Sequence, residues 1–61
     1  MDKLAYSTAE AAEVLGVSRP VIYTLIKRAD FPAFKLGTRT LVSVEGLREW
    51  VAAQTRKEGP T

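Results

Sequence analysis

Between residues 7 and 20 two helix starts stand on either side of one glycine, and no other stretch restricts the fold as much. Ser7 is followed three places later by Glu10, the spacing of a capping box in which a hydroxyl and a carboxylate satisfy each other's backbone N–H groups. A helix is predicted to start there. Tyr6, just before the cap, can staple onto Ala11, while Ala9, Ala11, Ala12, Val14 and Leu15 form a narrow apolar stripe at helical spacing. Gly16 supplies the left-handed residue that ends the helix, and Val17 is the apolar contact just past it. Ser18 then stands as a second N-cap, with Pro20 tolerated in the first turn because its missing N–H has no helical partner there.

The second helix is predicted over about Arg19 to Arg28. At about 100° per residue, Val21, Ile22, Leu25, Ile26 and Ala29 fall within one arc, and Pro20, Tyr23, Thr24, Lys27 and Arg28 on the other side. One face is core and the other is free. Asp30, Phe31 and Pro32 break the helix. Ala33 to Leu36 and Thr40 to Ser43 then read as two short strands around a turn at Gly37-Thr38-Arg39. Ser43 is placed to cap a third helix, in which Val44, Leu47, Trp50 and Val51 recur at helical spacing and which is predicted to end near Ala53. The expected fold is mainly α with a small β-hairpin, in the order α-α-β-β-α. Residues 1–5 form an N-terminal arm, 6–53 the domain, and 54–61 a frayed polar tail.

Composition limits what such a domain can do. The chain has 61 residues and contains neither His nor Cys. That removes imidazole and thiolate zinc ligands, a Cys nucleophile, a Ser-His-Asp triad and a disulfide framework. A chain of this size buries only about 60% of its unfolded surface, which leaves no room for a deep catalytic cleft beside a core. Glu10, Glu13, Glu45 and Glu49 are explained by capping and helix surfaces rather than by a paired acidic site. The expectation is a binding protein, not an enzyme, with no cofactor and no small-molecule ligand. At 46% hydrophobic and 26% charged the composition is that of a folded soluble domain. No apolar stretch approaches the length of a membrane span, and the N-terminus does not resemble a leader, so a cytoplasmic location is expected.

Two helices joined through Gly16, with a small Ala12 where they approach and Val17, Ile22 and Leu25 as inward anchors, form the spacing of a helix-turn-helix. A plain helical hairpin in a small bundle is the blander reading, and charge separates the two. The formal net charge is only +2, but it is unevenly spread: −2 over residues 1–16, +4 over 17–42 and zero beyond. The basic segment coincides with the second helix and hairpin, which points to double-stranded DNA, whose major groove admits one helix. Ser18 and Arg19 stand at the helix start, and Arg19 reads guanine or binds a phosphate. Pro20 suits a thymine methyl, Tyr23 and Thr24 suit base, sugar or phosphate, and Lys27 and Arg28 suit phosphates. Tyr23 is equally readable as partly core, and Arg28 as a charge compensating the helix C-terminus. On the hairpin, Lys35, Gly37, Thr38 and Arg39 form a small, flexible wing whose tip cation can reach a minor groove or the backbone. Trp50 is read as a packing anchor.

The run Tyr6 to Arg19, then Val21 to Arg28, Phe31-Pro32-Ala33, Gly37 and Leu47-Arg48-Glu49-Trp50, closely resembles the excisionase-like helix-turn-helix domains related to MerR. The resemblance implies a winged helix-turn-helix in which the second helix enters the major groove and residues 37–39 are the wing. It also implies kinship with phage and mobile-element excisionases and with small transcriptional regulators of the AlpA type. Ala29 stands where the family usually has Gly, Thr24 where it is often basic, and Leu41 and Val44 where Arg is common. These departures weaken the expected wing contacts and leave the fold untouched.

The leading expectation is an excisionase whose copies bind tandem sites, associate with their neighbours, bend DNA and direct an integrase toward excision. The near-minimal length, a reading head with no appended sensor, motivates it. With about 3 to 5 phosphate contacts the salt slope is expected to be about −3 to −4.5, so a single copy binds weakly. A small transcriptional regulator using the same head is the principal rival. A protein-interaction module that merely retains the fold is a third.

Overall fold

A computed structural model describes residues 3–58. At Ser7 the capping box closes: the Glu10 N–H donates to Ser7 Oγ at 3.2 Å and the Ser7 N–H donates to Glu10 Oε1 at 2.9 Å. Helix α1 (Thr8–Leu15) starts there and stops at Gly16, whose φ of 73° is left-handed. The N–H groups of Gly16 and Val17 reach back to the carbonyls of Glu13 and Ala12, the pairing of a Schellman cap. Ser18 is extended and opens α2 (Arg19–Ile26). Strands β2 (Ala33–Leu36) and β3 (Arg39–Ser43) turn at Gly37, where φ is 66°. Ser43 then caps α3 (Val44–Glu58), its hydroxyl accepting the Gly46 N–H at 3.0 Å.

The hairpin is part of a three-stranded antiparallel sheet. The third strand, β1 (Ala5–Ser7), pairs with β3 in the register Ala5↔Ser43, Tyr6↔Val42, Ser7↔Leu41, so the sheet order is β1-β3-β2. The expected arm of residues 1–5 therefore gives up Ala5 to the sheet, and residues 1 and 2 lie outside the described part. Three residues are too few to show an alternation, and the partner strand lies more than thirty residues away in the chain. Three helices and this small sheet make a winged helix-turn-helix, as expected.

Helix α3 extends past its expected end near Ala53. Gln54 to Glu58, expected to be frayed tail, continue the helix, and residues 59–61 lie outside the described part. The polar run Gln54-Thr55-Arg56-Lys57-Glu58 contains good helix formers and neither Gly nor Pro, so the apolar stripe ends before the helix does. Helix α2 is shorter than expected. Its final turn tightens, with the Lys27 and Arg28 N–H groups donating to the carbonyls of Thr24 and Leu25.

Ala11, Ala12, Ile22, Phe31, Val42 and Leu47 are buried, and Tyr6, Leu15, Val17, Leu25, Ile26, Ala33 and Trp50 pack around them. The second helix thus buries a narrower face than its apolar arc suggests. Ile22 is fully buried, whereas Val21 is 44% exposed and Ala29 is exposed. A core of this size has neighbours for only part of that arc. Val51 is likewise more exposed than its spacing implies.

One glycine in α3 has a packing role. A Cβ at Gly46 would lie 2.7 Å from the Cβ of Pro32, so only a residue without a side chain lets the first turn of α3 approach the segment before β2. Pro32 is itself fixed by its carbonyl, which accepts the Ser43 N–H at 2.9 Å. Phe31 and Trp50 meet edge to face with ring centroids 5.0 Å apart. Among the described residues no helix is long and apolar enough to cross a membrane.

Candidate nucleic-acid interface

The outward side of α2 follows from how its inward side is held. Ile22 is fixed at the crossing with the small residues Ala11 and Ala12, so Arg19, Pro20, Tyr23, Thr24 and Lys27 are left exposed. Tyr23 is 50% exposed, which divides it between packing and surface. Thr24 Oγ1 donates to the Pro20 carbonyl at 3.1 Å, so the hydroxyl oxygen still has accepting capacity toward solvent. Eight residues span about 12 Å, a length that fits within the major groove.

Ser18 is at the N-cap position, as predicted, but its side chain makes no capping hydrogen bond. Part of this follows from the sequence: the second helical residue, Pro20, has no N–H to give, and Val21 in place of Glu removes the reciprocal half of a box. The Val21 N–H remains as a donor but is not bonded to Ser18. Ser18 is exposed with its hydroxyl uncommitted to the helix.

Arg28 has a carboxylate partner. Its Nε and Nη2 donate to Asp30 Oδ1 and Oδ2 at 2.9 and 3.0 Å, and Trp50 Nε1 donates to the same Oδ2 at 3.3 Å. The Arg28 guanidinium holds the Asp30 carboxyl below its ordinary range, with the Trp50 indole adding to the effect. The pair ties the exit of α2 to α3. Sequence reasoning read Asp30 only as a helix breaker; an acid two places after a base carries no helical signal, and the Trp50 contact spans twenty residues. At the other end of the motif Glu10 accepts from Lys3 as well as from Ser7, and these bonds lower its carboxyl below the ordinary range.

Among the described residues Arg19, Lys27, Lys35 and Arg39 have no carboxylate partner. The first two lie on or just past α2 and the others on the hairpin. Lys35, Gly37, Thr38 and Arg39 are all exposed, with Leu36 directly across from Arg39 and Lys35 across from Thr40. The structure therefore exposes every residue expected to meet DNA, and separates Arg28, held by Asp30, from four cations with no carboxylate partner among the described residues.

A family model described as a helix-turn-helix domain matches residues 5–55. No curated protein and no solved structure matches the chain. The match runs from the first residue of β1 into α3 and takes in both helices of the motif and the hairpin. With most of its length covered by that match, the chain belongs to the helix-turn-helix domain family, a family of DNA-binding modules.

Proposed function

We propose that the protein binds double-stranded DNA sequence-specifically and serves as an excisionase, in which neighbouring copies on tandem sites bend the DNA and direct an integrase toward excision. The observation that carries the DNA reading is the gathering of four exposed cations without a carboxylate partner among the described residues on α2 and the wing: Arg19 at the start of α2, Lys27 just past its end, and Lys35 and Arg39 on the hairpin. Helix α2 enters the major groove with Arg19, Tyr23 and Thr24 toward base edges, while Lys27 and the wing cations take phosphates. The excisionase role is supported by the resemblance of residues 6–50 to that group. Few phosphate contacts per copy and a bending cost of order 1 to 6 kcal/mol favour several cooperating copies. The protein contributes binding and shape in the cytoplasm, and the integrase contributes the bond breaking.

Excision assayed with the cognate integrase, with and without the protein, tests the role. An unchanged balance of excision over insertion refutes it. A footprint over a promoter with none in an attachment site assigns the protein to transcriptional regulation. Gel shifts in which Arg19→Ala and Arg39→Ala bind as tightly as the parent would show that α2 and the wing do not carry the binding, and would favour a protein-interaction module that retains the fold.

A further inference from the structure

Val42 is fully buried, and Tyr6 and Ala33 lie directly opposite it on the flanking strands, packed on the core. Alternation along the strands then sends Phe34, Leu36, Arg39 and Leu41 out on the other face. Phe34 faces Leu41, and Leu36 faces Arg39 at the tip, so two successive cross-strand pairs place three apolar side chains in one patch. Leu36 is 65% exposed and Phe34 42%. A single exposed leucine needs no explanation, but a row of apolar residues ending at a hairpin tip does.

The surroundings of this patch indicate what covers it. Residues 33–43 contain Lys35 and Arg39 and no acid, and neither cation has a carboxylate partner among the described residues. Strand β2 is the sheet edge beside the patch, where another polypeptide could add, but it is only four residues long and carries Lys35, two features that discourage edge pairing; β1 forms the opposite edge. An apolar tip flanked by two cations suits a polyanion with an apolar interior, which is duplex DNA opened at a base step. Gly37 and Thr38 make a two-residue turn between Leu36 and Arg39, so no bulky side chain stands beyond that pair at the tip.

We propose that Leu36, backed by Phe34, is an apolar wedge that enters the minor groove beside the site read by α2 and partly unstacks one base step, while Lys35 and Arg39 hold the flanking phosphates. This rests on the DNA-binding reading above and adds the means by which the protein bends its site. Wedges of this kind kink a duplex by about 20° or more.

The test uses the full chain and a duplex selected by the protein from a random-sequence pool, end-labelled for energy transfer and carrying 2-aminopurine at steps flanking the protected site. The parent is expected to bend the duplex and raise 2-aminopurine fluorescence at one flanking step. Leu36→Ala should still bind but lose both signals, Leu36→Phe should keep them, and Arg39→Ala should lower the salt slope by about 0.9. Circular dichroism confirms that the variants fold, as the exposure of Leu36 leads one to expect. Bending and fluorescence by Leu36→Ala equal to the parent's would overturn the proposal. So would self-association of the free parent that Leu36→Ala abolishes, since that would give the patch to a second copy. Failure of the parent to retain any duplex from the pool would instead refute the DNA reading itself.

Discussion

Helices α1 and α2 are each eight residues long and pack against one another, yet their ends are built in opposite ways. Helix α1 has a closed capping box, an acid in its first turn and a left-handed glycine at its end. Its N–H groups and its dipole are satisfied from within the chain. Helix α2 has an N-cap serine that makes no side-chain bond, Arg19 where an acid would suit the dipole, and an ordinary right-handed Lys27 as its C-cap. The two features missing at the N-terminus of α2, a side-chain cap bond and an acid, are those a bound phosphate would supply. One helix is finished by its own sequence and the other is left open on the side that faces a partner.

Ile22→Ala tests the largest part of this contrast, because Ile22 alone on α2 is fully buried. The expected loss is about 2–5 kcal/mol, comparable with the whole stability of a domain this small. Chemical denaturation followed by circular dichroism measures it. Val21→Ala, on the exposed flank of the same helix, should cost far less; equal losses would mean that Ile22 is not the chief anchor of α2.

Next in size is the effect on binding. Arg19→Ala should weaken binding to the selected duplex by about 1–3 kcal/mol, whereas Glu13→Ala, exposed on α1, should change it by less than about 0.5 kcal/mol. Fluorescence anisotropy titrations compare the two. Similar losses from both would erase the distinction between a structural helix and a reading helix.

The caps themselves give a smaller and sharper comparison. Ser7→Ala removes the hydroxyl that accepts the Glu10 N–H, leaving the backbone half of the box, and should cost about 1 kcal/mol in thermal or denaturant unfolding. Ser18→Ala removes no bond within the chain and should leave stability nearly unchanged. A Ser18→Ala loss as large as that of Ser7→Ala would show that the hydroxyl caps α2 after all.

The smallest effect is on pH dependence. Both Glu10 and Asp30 have folded-state values below their unfolded ones, so the stability they contribute is fully present above the unfolded values, near 4, and fades as pH falls through the lower folded values. Unfolding midpoints should be flat from pH 7 to 5 and decline below about 4. Glu10→Gln and Asp30→Asn should each flatten part of that decline, and unchanged acid profiles would show that neither clamp persists in solution.

Much of the fold was legible because its signals are local. The capping box at Ser7, the glycine at Gly16, the cap at Ser43 and the turn at Gly37 each lie within four residues of what they control, and all stand where the sequence places them. Strand β1 was missed because three residues carry no period, and the end of α3 because a polar helix turn resembles a tail. Every candidate contact residue on α2 and the wing is exposed, including Tyr23, which the helical arc alone left between core and surface. The Arg28, Asp30 and Trp50 clamp and the need for Gly46 had no signature at any fixed spacing.

By itself, then, the sequence determined where each helix starts, where the chain turns and where its positive charge gathers, since caps, glycines and charge runs act over a few residues. Only the tertiary structure decided which cations remain free. Arg28 is paired with Asp30 two places on, whose carboxylate also accepts from Trp50, brought by α3, and the apolar face of the wing appears only when the buried Val42 sets which way its neighbours point. Pairings across the chain depend on the packed core, and a core of six buried residues has no linear code.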